Sequence, residues 1–165
     1  MQFVPVNNNH LQIIRHIATT TWAETYNRIL SPEQSLYMLE MMYSDESLLQ
    51  QINSNQQFVL IHNDESNDYE AFASFEFNYQ GSDKTKIHKL YALPRSHGKG
   101  LGRSLVEHIT SLAIERKNSA ITLNMNRFNE SYGFYIKMGF SITGEEDIDI
   151  GNGYLMEDYI FEKKI

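Results

Sequence analysis

The chain contains no cysteine among its 165 residues. That excludes a disulfide framework, a thiolate zinc site and a cysteine nucleophile. Proline is scarce, at 3 residues, so Pro-rich linkers are excluded as well. No apolar run approaches the roughly 18 residues needed to span a bilayer. The start, Met1 to Asn9, lacks the charged head and apolar stretch of a signal peptide. A cytoplasmic protein with no membrane partner is the expectation. Positive charge is also in deficit: the formal net charge is −7 and the pI about 5.3. General nucleic-acid binding relies on phosphate neutralisation by Lys and Arg, so no nucleic-acid partner is expected. What is present is a globular composition. The 9 Phe, 10 Tyr and 1 Trp are too many for a chain that buries nothing.

The few basic residues are unevenly spread. Lys84, Lys86, Lys89, Arg95, Lys99 and Arg103 share one window, with acid dominating before and after it. A solvated mixed surface accounts for this as well as a local anion site inside an acidic protein does.

The length predicts a single domain over residues 1–165. Phe3–Val6 suits a short first strand. Leu11, Ile14, Ile17 and Ala18 recur at helical spacing up to about Tyr26. Ser31 followed by Pro32 starts a second helix running to about Met42, and a shorter helix follows Asp45. Phe58–Ile61 is a short apolar run. Tyr69–Tyr79 and Thr85–Ala92 read as antiparallel strands about the turn Gln80-Gly81-Ser82. Gly100–Lys117 is an amphipathic helix, with Arg116 and Lys117 suiting its C-terminal dipole end. Ile121–Met125 is a strand. Asn129 caps a helix through Met138 that Gly139 closes, and Phe140–Asp149 and Tyr154–Glu162 are the last strands. This order predicts an α/β domain with a mixed sheet.

The informative segment is Leu90 to Arg103. A strand ends, Pro94 stops it, three glycines follow and a helix begins. Unpaired N–H groups at a helix start, with the helix dipole behind them, form an anion cradle. Side chains in place of the glycines would hold a phosphate off the backbone. The Walker A string is absent. The dinucleotide fingerprint fails, because Arg103 stands where its third glycine belongs. An unliganded strand-to-helix connection is the plain alternative.

A second motif decides between these readings. His97-Gly98-Lys99-Gly100-Leu101-Gly102 is followed by the strand Ile121–Met125 and then by Phe134-Tyr135-Ile136-Lys137-Met138-Gly139-Phe140. The pair resembles the GNAT family of acetyl-CoA-dependent N-acetyltransferases. Its signature is Gln/Arg-x-x-Gly-x-Gly/Ala at a strand-to-helix turn, then a strand and a short helix ending Phe-Tyr-x-x-x-Gly-Phe. The resemblance covers about residues 57–163. It implies a mixed, mostly antiparallel central sheet of six to seven strands flanked by helices and splayed at the cofactor site. It also implies transfer of acetyl from acetyl-CoA to a primary amine (a small amine, a polyamine or a protein amine) by direct attack through a tetrahedral intermediate. A homodimer is compatible with it.

Residue by residue, the resemblance places the pantetheine arm against the backbone of Leu90, Tyr91 and Ala92. It places the pyrophosphate on His97, Gly98, Lys99, Gly100, Leu101, Gly102 and Arg103, with Asn129 on the cofactor arm. Tyr135 matches the general acid, protonated at neutral pH by its ordinary pKa of roughly 10. The chain departs from the family at the first signature position, His97, and at the general base. Lys86 and Asn124 stand where many members carry a Glu. A member that binds acetyl-CoA without turning it over therefore remains the alternative.

For the base, His88 is the candidate, placed by alternation on the strand face of Lys86 and Leu90. Glu76 and Glu24 are its rivals. Trp22, Glu24, Tyr26, Glu76 and Tyr154 are expected to bound the acceptor, since acid with aromatic suits a cation. No histidine spacing matches a metal-ligand pattern, so no metal is expected.

Overall fold

The computed structural model describes residues 1–165. Strand β1 (Gln2–Pro5) leads through a 3₁₀ turn at Asn8–His10 into α1 (Leu11–Tyr26), α2 (Pro32–Tyr43) and α3 (Asp45–Ile52). Strands β2 (Gln57–Asn63), β3 (Asp68–Glu76) and β4 (Lys84–Ala92) follow, then α4 (Leu101–Glu115), β5 (Ala120–Asn126), α5 (Tyr132–Lys137), β6 (Ser141–Asp149) and β7 (Leu155–Lys164). The seven strands form one sheet in the order β1-β2-β3-β4-β5-β7-β6. All neighbours are antiparallel except β4 and β5. The mixed, mostly antiparallel architecture is the one expected. No helix is long and apolar enough to cross a membrane.

Local chemistry sets most boundaries. The Ser31 hydroxyl accepts from the Gln34 N–H at 3.1 Å, with Pro32 in the first turn, as the sequence predicts. Gly139, at φ 89°, closes α5, and its N–H donates to the Ile136 carbonyl at 3.0 Å. Three of the departures from the expected boundaries have a local cause. β3 stops at Glu76, because Asn78 and Gln80 take left-handed backbone (φ 51° and 53°) that breaks the ladder. α4 ends at Glu115, because Lys117 turns left-handed at φ 60°. Asn129 does not cap α5 directly. Its side chain accepts from the Ser131 N–H at 2.9 Å, a turn that precedes a helix starting at Tyr132.

The sheet separates two cores. On one face α4 and α5 cover Val59, Ala73, Ile87, Leu123 and Phe161, with Leu105 and Ile109 fully buried between them. On the other face α1–α3 cover Phe58, Leu60 and Phe72, with Ile14, Trp22 and Leu48 as the main inserts. Burying each of these large side chains contributes about 1.5–3 kcal/mol. Both cores are therefore needed to hold the strands that carry the cleft.

Candidate active site

β4 and β5 pair only from Lys84 opposite Ala120 to Ile87 opposite Leu123. Beyond that point β4 continues to Ala92 along β3, and β5 continues to Asn126 along β7. The two strands therefore splay. The β5-facing backbone of His88 to Ala92 is left without a strand partner, while a buried edge ordinarily finds one. A cleft of about 750 Å³ opens there and extends across both faces of the sheet.

One end of the cleft is the glycine turn. Gly98 and Gly100 have φ 77° and 80°, and no heavy atom lies within 4 Å of where a Cβ on either would stand. Gly100 is the residue before α4 and offers no side-chain cap to its first turn. Open N–H groups with free space in front of them fit an anion. Gly102 has a different job: a Cβ there would stand 3.2 Å from the Phe134 ring. That contact packs the two sequence motifs against one another.

Tyr135 lies on α5 with its ring among Phe134, Phe140 and Phe161, and it also lines the cleft. Burial, with Tyr26 beside it, pushes its phenol well above the ordinary value. It stays protonated at any physiological pH. A phenol held so high keeps its proton, so toward a developing thiolate (ordinary thiol pKa about 8.5) it would serve as a hydrogen-bond donor rather than as an acid.

His88 sits at a bulge. Ser74 faces Lys89 and Phe75 faces Ile87, so His88 is the extra residue. This resets the alternation. Leu90 and Ala92 pack with Ile87 on the α4 face, while Tyr91 packs on the α1 face. The expectation that His88, Lys86 and Leu90 share a face fails for this reason. His88 instead pairs with Glu76 on β3, Nε2 to Oε2 at 3.1 Å, and its ring meets Tyr79 edge-on. Burial pulls its pKa down, against the pull of Glu76.

The structure gathers most of the sequence candidates and separates a few. Trp22, Tyr26, His88, Leu90, Tyr91 and Ala92 line the cleft, as do His97, Gly98, Gly100, Leu101, Gly102, Arg103, Asn129 and Tyr135. Lys99 turns away, with Nζ 3.7 Å from the buried Glu70 carboxylate. Glu24 borders a neighbouring depression with Arg28 and Phe128. Glu76 reaches the cleft only through His88. Tyr154 packs at a tilt against Tyr37, 5.5 Å between centroids, and its hairpin reaches the cleft through Leu155, Met156 and Asp158.

Two buried charges were missed. Lys89 is 9% exposed, and its ammonium lies over the Tyr43 and Phe58 rings and against the Gln51 carbonyl. Burial pushes its pKa down to about 8. Asp158 is 3% exposed and sits two strands from β4 on β7. Neither position carries a local sequence signal, because only the register of β4 and β7 turns them inward.

Comparison with known proteins matches residues 27–156 to the acetyltransferase (GNAT) domain family. The chain belongs to this family. Among curated relatives it is 38% identical over 74 residues to a peptidyl-lysine N-acetyltransferase, YjaB, of Salmonella typhimurium, covering 44% of this chain and 48% of that protein. It is 35% identical over 63 residues to a 5-NmdU N-acetyltransferase of Pseudomonas phage PaMx11, covering 38% of this chain and 43% of that protein. The chain thus spans about half the length of the curated relatives it matches. Among solved structures, the PaiA N-acetyltransferase of Thermoplasma acidophilum in complex with coenzyme A superposes with a TM-score of 0.81 at 24% identity, over 100% of both chains. A GCN5-related N-acetyltransferase of Rhodopseudomonas palustris gives 0.83 at 16% identity, over 99% of this chain and 95% of that one.

Proposed function

We propose that this GNAT chain transfers an acetyl group from acetyl-CoA to a primary amine. The observation that carries the reading is the β4–β5 splay, with an open glycine cradle at one end and the Tyr135 hydroxyl within the cleft. When bound, acetyl-CoA supplies an acetyl group activated as a thioester. The residues present fit it. Gly98 and Gly100 leave room for a pyrophosphate on the first-turn N–H groups of α4, and the exposed Arg103, paired with Glu107 only at 4.0 Å, would turn toward it. The unpaired backbone of His88 to Ala92 offers hydrogen bonds to the amides of an extended arm, as an added strand would. An N–H group on that same edge would serve as hydrogen-bond donor to the thioester oxygen. Tyr135 donates its hydroxyl proton in a hydrogen bond to the departing sulfur.

The acceptor enters from the α1–α2 side, past Trp22, Tyr26, Met38 and Met156. The chain offers two proton acceptors there, the His88–Glu76 pair and the Asp158 carboxylate. A lysine side chain of a protein is one amine within this class, in keeping with the YjaB relative.

Thiol release from acetyl-CoA over a panel of amines tests the reading. The panel comprises a lysine peptide, a polyamine and a free amino acid. Acetyl-CoA at 100 times its Kd should stabilise the fold by about 2.7 kcal/mol. For a chain this size that is a Tm rise of several degrees, at roughly 2–4 °C per kcal/mol. Calorimetry showing no acetyl-CoA binding at millimolar ligand would overturn the proposal.

A further inference from the structure

Family resemblance leaves the proton acceptor unassigned, since Lys86 and Asn124 occupy the strand positions where a carboxylate is sought. The tertiary structure puts a carboxylate beside them from a third strand. Asn126 on β5 faces Asp158 on β7, and Asn124 lies two residues along on the same face of β5. The Asn124 amide reaches across: its nitrogen donates to Asp158 Oδ2 at 3.4 Å and to Glu146 Oε2 at 3.1 Å, while its oxygen accepts from the Lys86 ammonium. Asn124 is thereby fixed in orientation by donor and acceptor alike. Asp158 lines the cleft, is 3% exposed and has no cation within ion-pair distance. A buried carboxylate without a partner cation is costly unless a ligand supplies one.

We propose that Asp158 receives the acceptor's ammonium group and takes its proton. The proposal rests on the acetyl-transfer reading above. The step balances. An N–H bond of the ammonium breaks, its electron pair stays on nitrogen, and an O–H bond forms on the Asp158 carboxylate. The free amine forms an N–C bond to the acetyl carbon as the C–S bond breaks. The second amine proton ends on the departing sulfur, and Asp158 returns its own proton to water.

Placement favours Asp158 over His88. Asp158 and Tyr135, the proposed sulfur-side donor, line the same cleft, with Tyr26 of α1 lining it as well. His88 already engages Glu76 and feels the positive charge of Lys86 and Lys89. An arriving ammonium would be repelled there and attracted at Asp158. The groups facing Asp158 are Lys86 from β4, Asn124 from β5, Arg127 beyond β5, Glu146 from β6 and Tyr26 from α1. Burial and then Glu146 raise its pKa, while Asn124, Lys86 and Arg127 oppose them. The net rise moves the carboxyl toward the pH at which it works.

The test uses two probes, Nα-acetyl-lysine methylamide and glycine methylamide, whose amines ordinarily ionise near 10.4 and about 8. With wild-type protein and saturating acetyl-CoA, log kcat/KM for both should rise with pH along one shared limb. That limb should lie above the ordinary carboxylate range and well below either amine. In Asp158→Asn the limb should move up to each amine's own ionisation, with kcat/KM near neutrality down about 10²–10⁴-fold. Acetyl-CoA affinity should change by less than twofold, a readout that a merely structural role would not spare. Asn124→Ala removes a hydrogen bond from the carboxylate and should shift the shared limb to higher pH, which keeps the test alive if the first variant folds poorly. The limb should survive in His88→Gln. A limb unchanged in Asp158→Asn, or abolished in His88→Gln, overturns the assignment while leaving acetyl transfer intact. Failure of the wild type to acetylate either probe despite bound acetyl-CoA overturns the broader reading instead.

Discussion

The two faces of the sheet hold the same strands but do different work. The α4–α5 face presents backbone: a glycine turn, an unpaired strand edge and one tyrosine. The α1–α3 face presents side chains: Trp22, Tyr26, Tyr43, Tyr91 and two buried charges, Lys89 and Asp158. A site built from backbone needs glycine at fixed spacing, so it leaves a string in the sequence. A site built from side chains on four separate elements, α1, α2, β4 and β7, leaves none. The first half suits a ligand shared across a family, and the second suits an acceptor particular to this chain.

The sharpest way to break this comparison is Gly100→Glu. It places a side chain and a negative charge in the open space before α4, at φ 80°, where side chains are also strained. Saturable acetyl-CoA binding should vanish in calorimetry at millimolar ligand, with the fold retained by circular dichroism. Unaltered affinity would mean that the anion site lies elsewhere.

Tyr135→Phe keeps the ring among Phe134, Phe140 and Phe161 and removes only the hydroxyl. Acetyl-CoA affinity should hold while kcat falls about 10²–10⁴-fold. Wild-type turnover would reduce Tyr135 to a core aromatic.

On the other face, Trp22→Phe removes the donor that bonds the Ser35 hydroxyl at 2.6 Å, fully buried between α1 and α2. About 1–2 kcal/mol of stability should be lost. The KM for the acceptor should rise severalfold with acetyl-CoA affinity unchanged. A matching loss of cofactor affinity would show that the two halves are not separable.

The smallest effect concerns Lys89. Its pKa falls from 10.5 unfolded to about 8 folded, so its charged form opposes folding. The penalty is full below about pH 8 and is relieved between about 8 and 10.5, where the unfolded chain binds more protons. Lys89→Met should therefore raise Tm at pH 7 by about 2–4 °C, a net gain of about 1 kcal/mol once the lost Gln51 bond and ring contacts are set against desolvation. Melts from pH 7 to pH 10 should lose the rise seen in wild type. A variant less stable at pH 7 would mean that the Gln51 bond and the ring contacts outweigh desolvation.

The cofactor half was largely legible. The three glycines and Phe134-Tyr135 act through local geometry, and local geometry is written in neighbouring residues. The Lys99 side chain turns from the cleft because Glu70, whose carboxylate is buried 29 positions earlier in the chain, draws the ammonium away. The acceptor half was legible only in part. Trp22 and Tyr26, named because aromatic with acid suits a cation, line the cleft. Glu24 and Tyr154 point elsewhere, because an aromatic or acidic residue near a site announces nothing about its direction.

His88 shows where pattern reading stops. Period-two alternation is reliable along a regular strand, and one bulge inverts it for every residue beyond. Nothing in Lys86-Ile87-His88-Lys89-Leu90 marks the bulge; it is set by how β3 and β4 align.

The sequence by itself determined the order of elements, the glycine cradle and the tyrosine of α5, since each depends on residues within a few positions of one another. The tertiary structure alone decided the splay of β4 from β5, the pairing of His88 with Glu76 and the arrival of Asp158 beside Asn124. Those are matters of register between strands 12 to 34 residues apart, and register is fixed by the packing of two whole cores rather than by any local run.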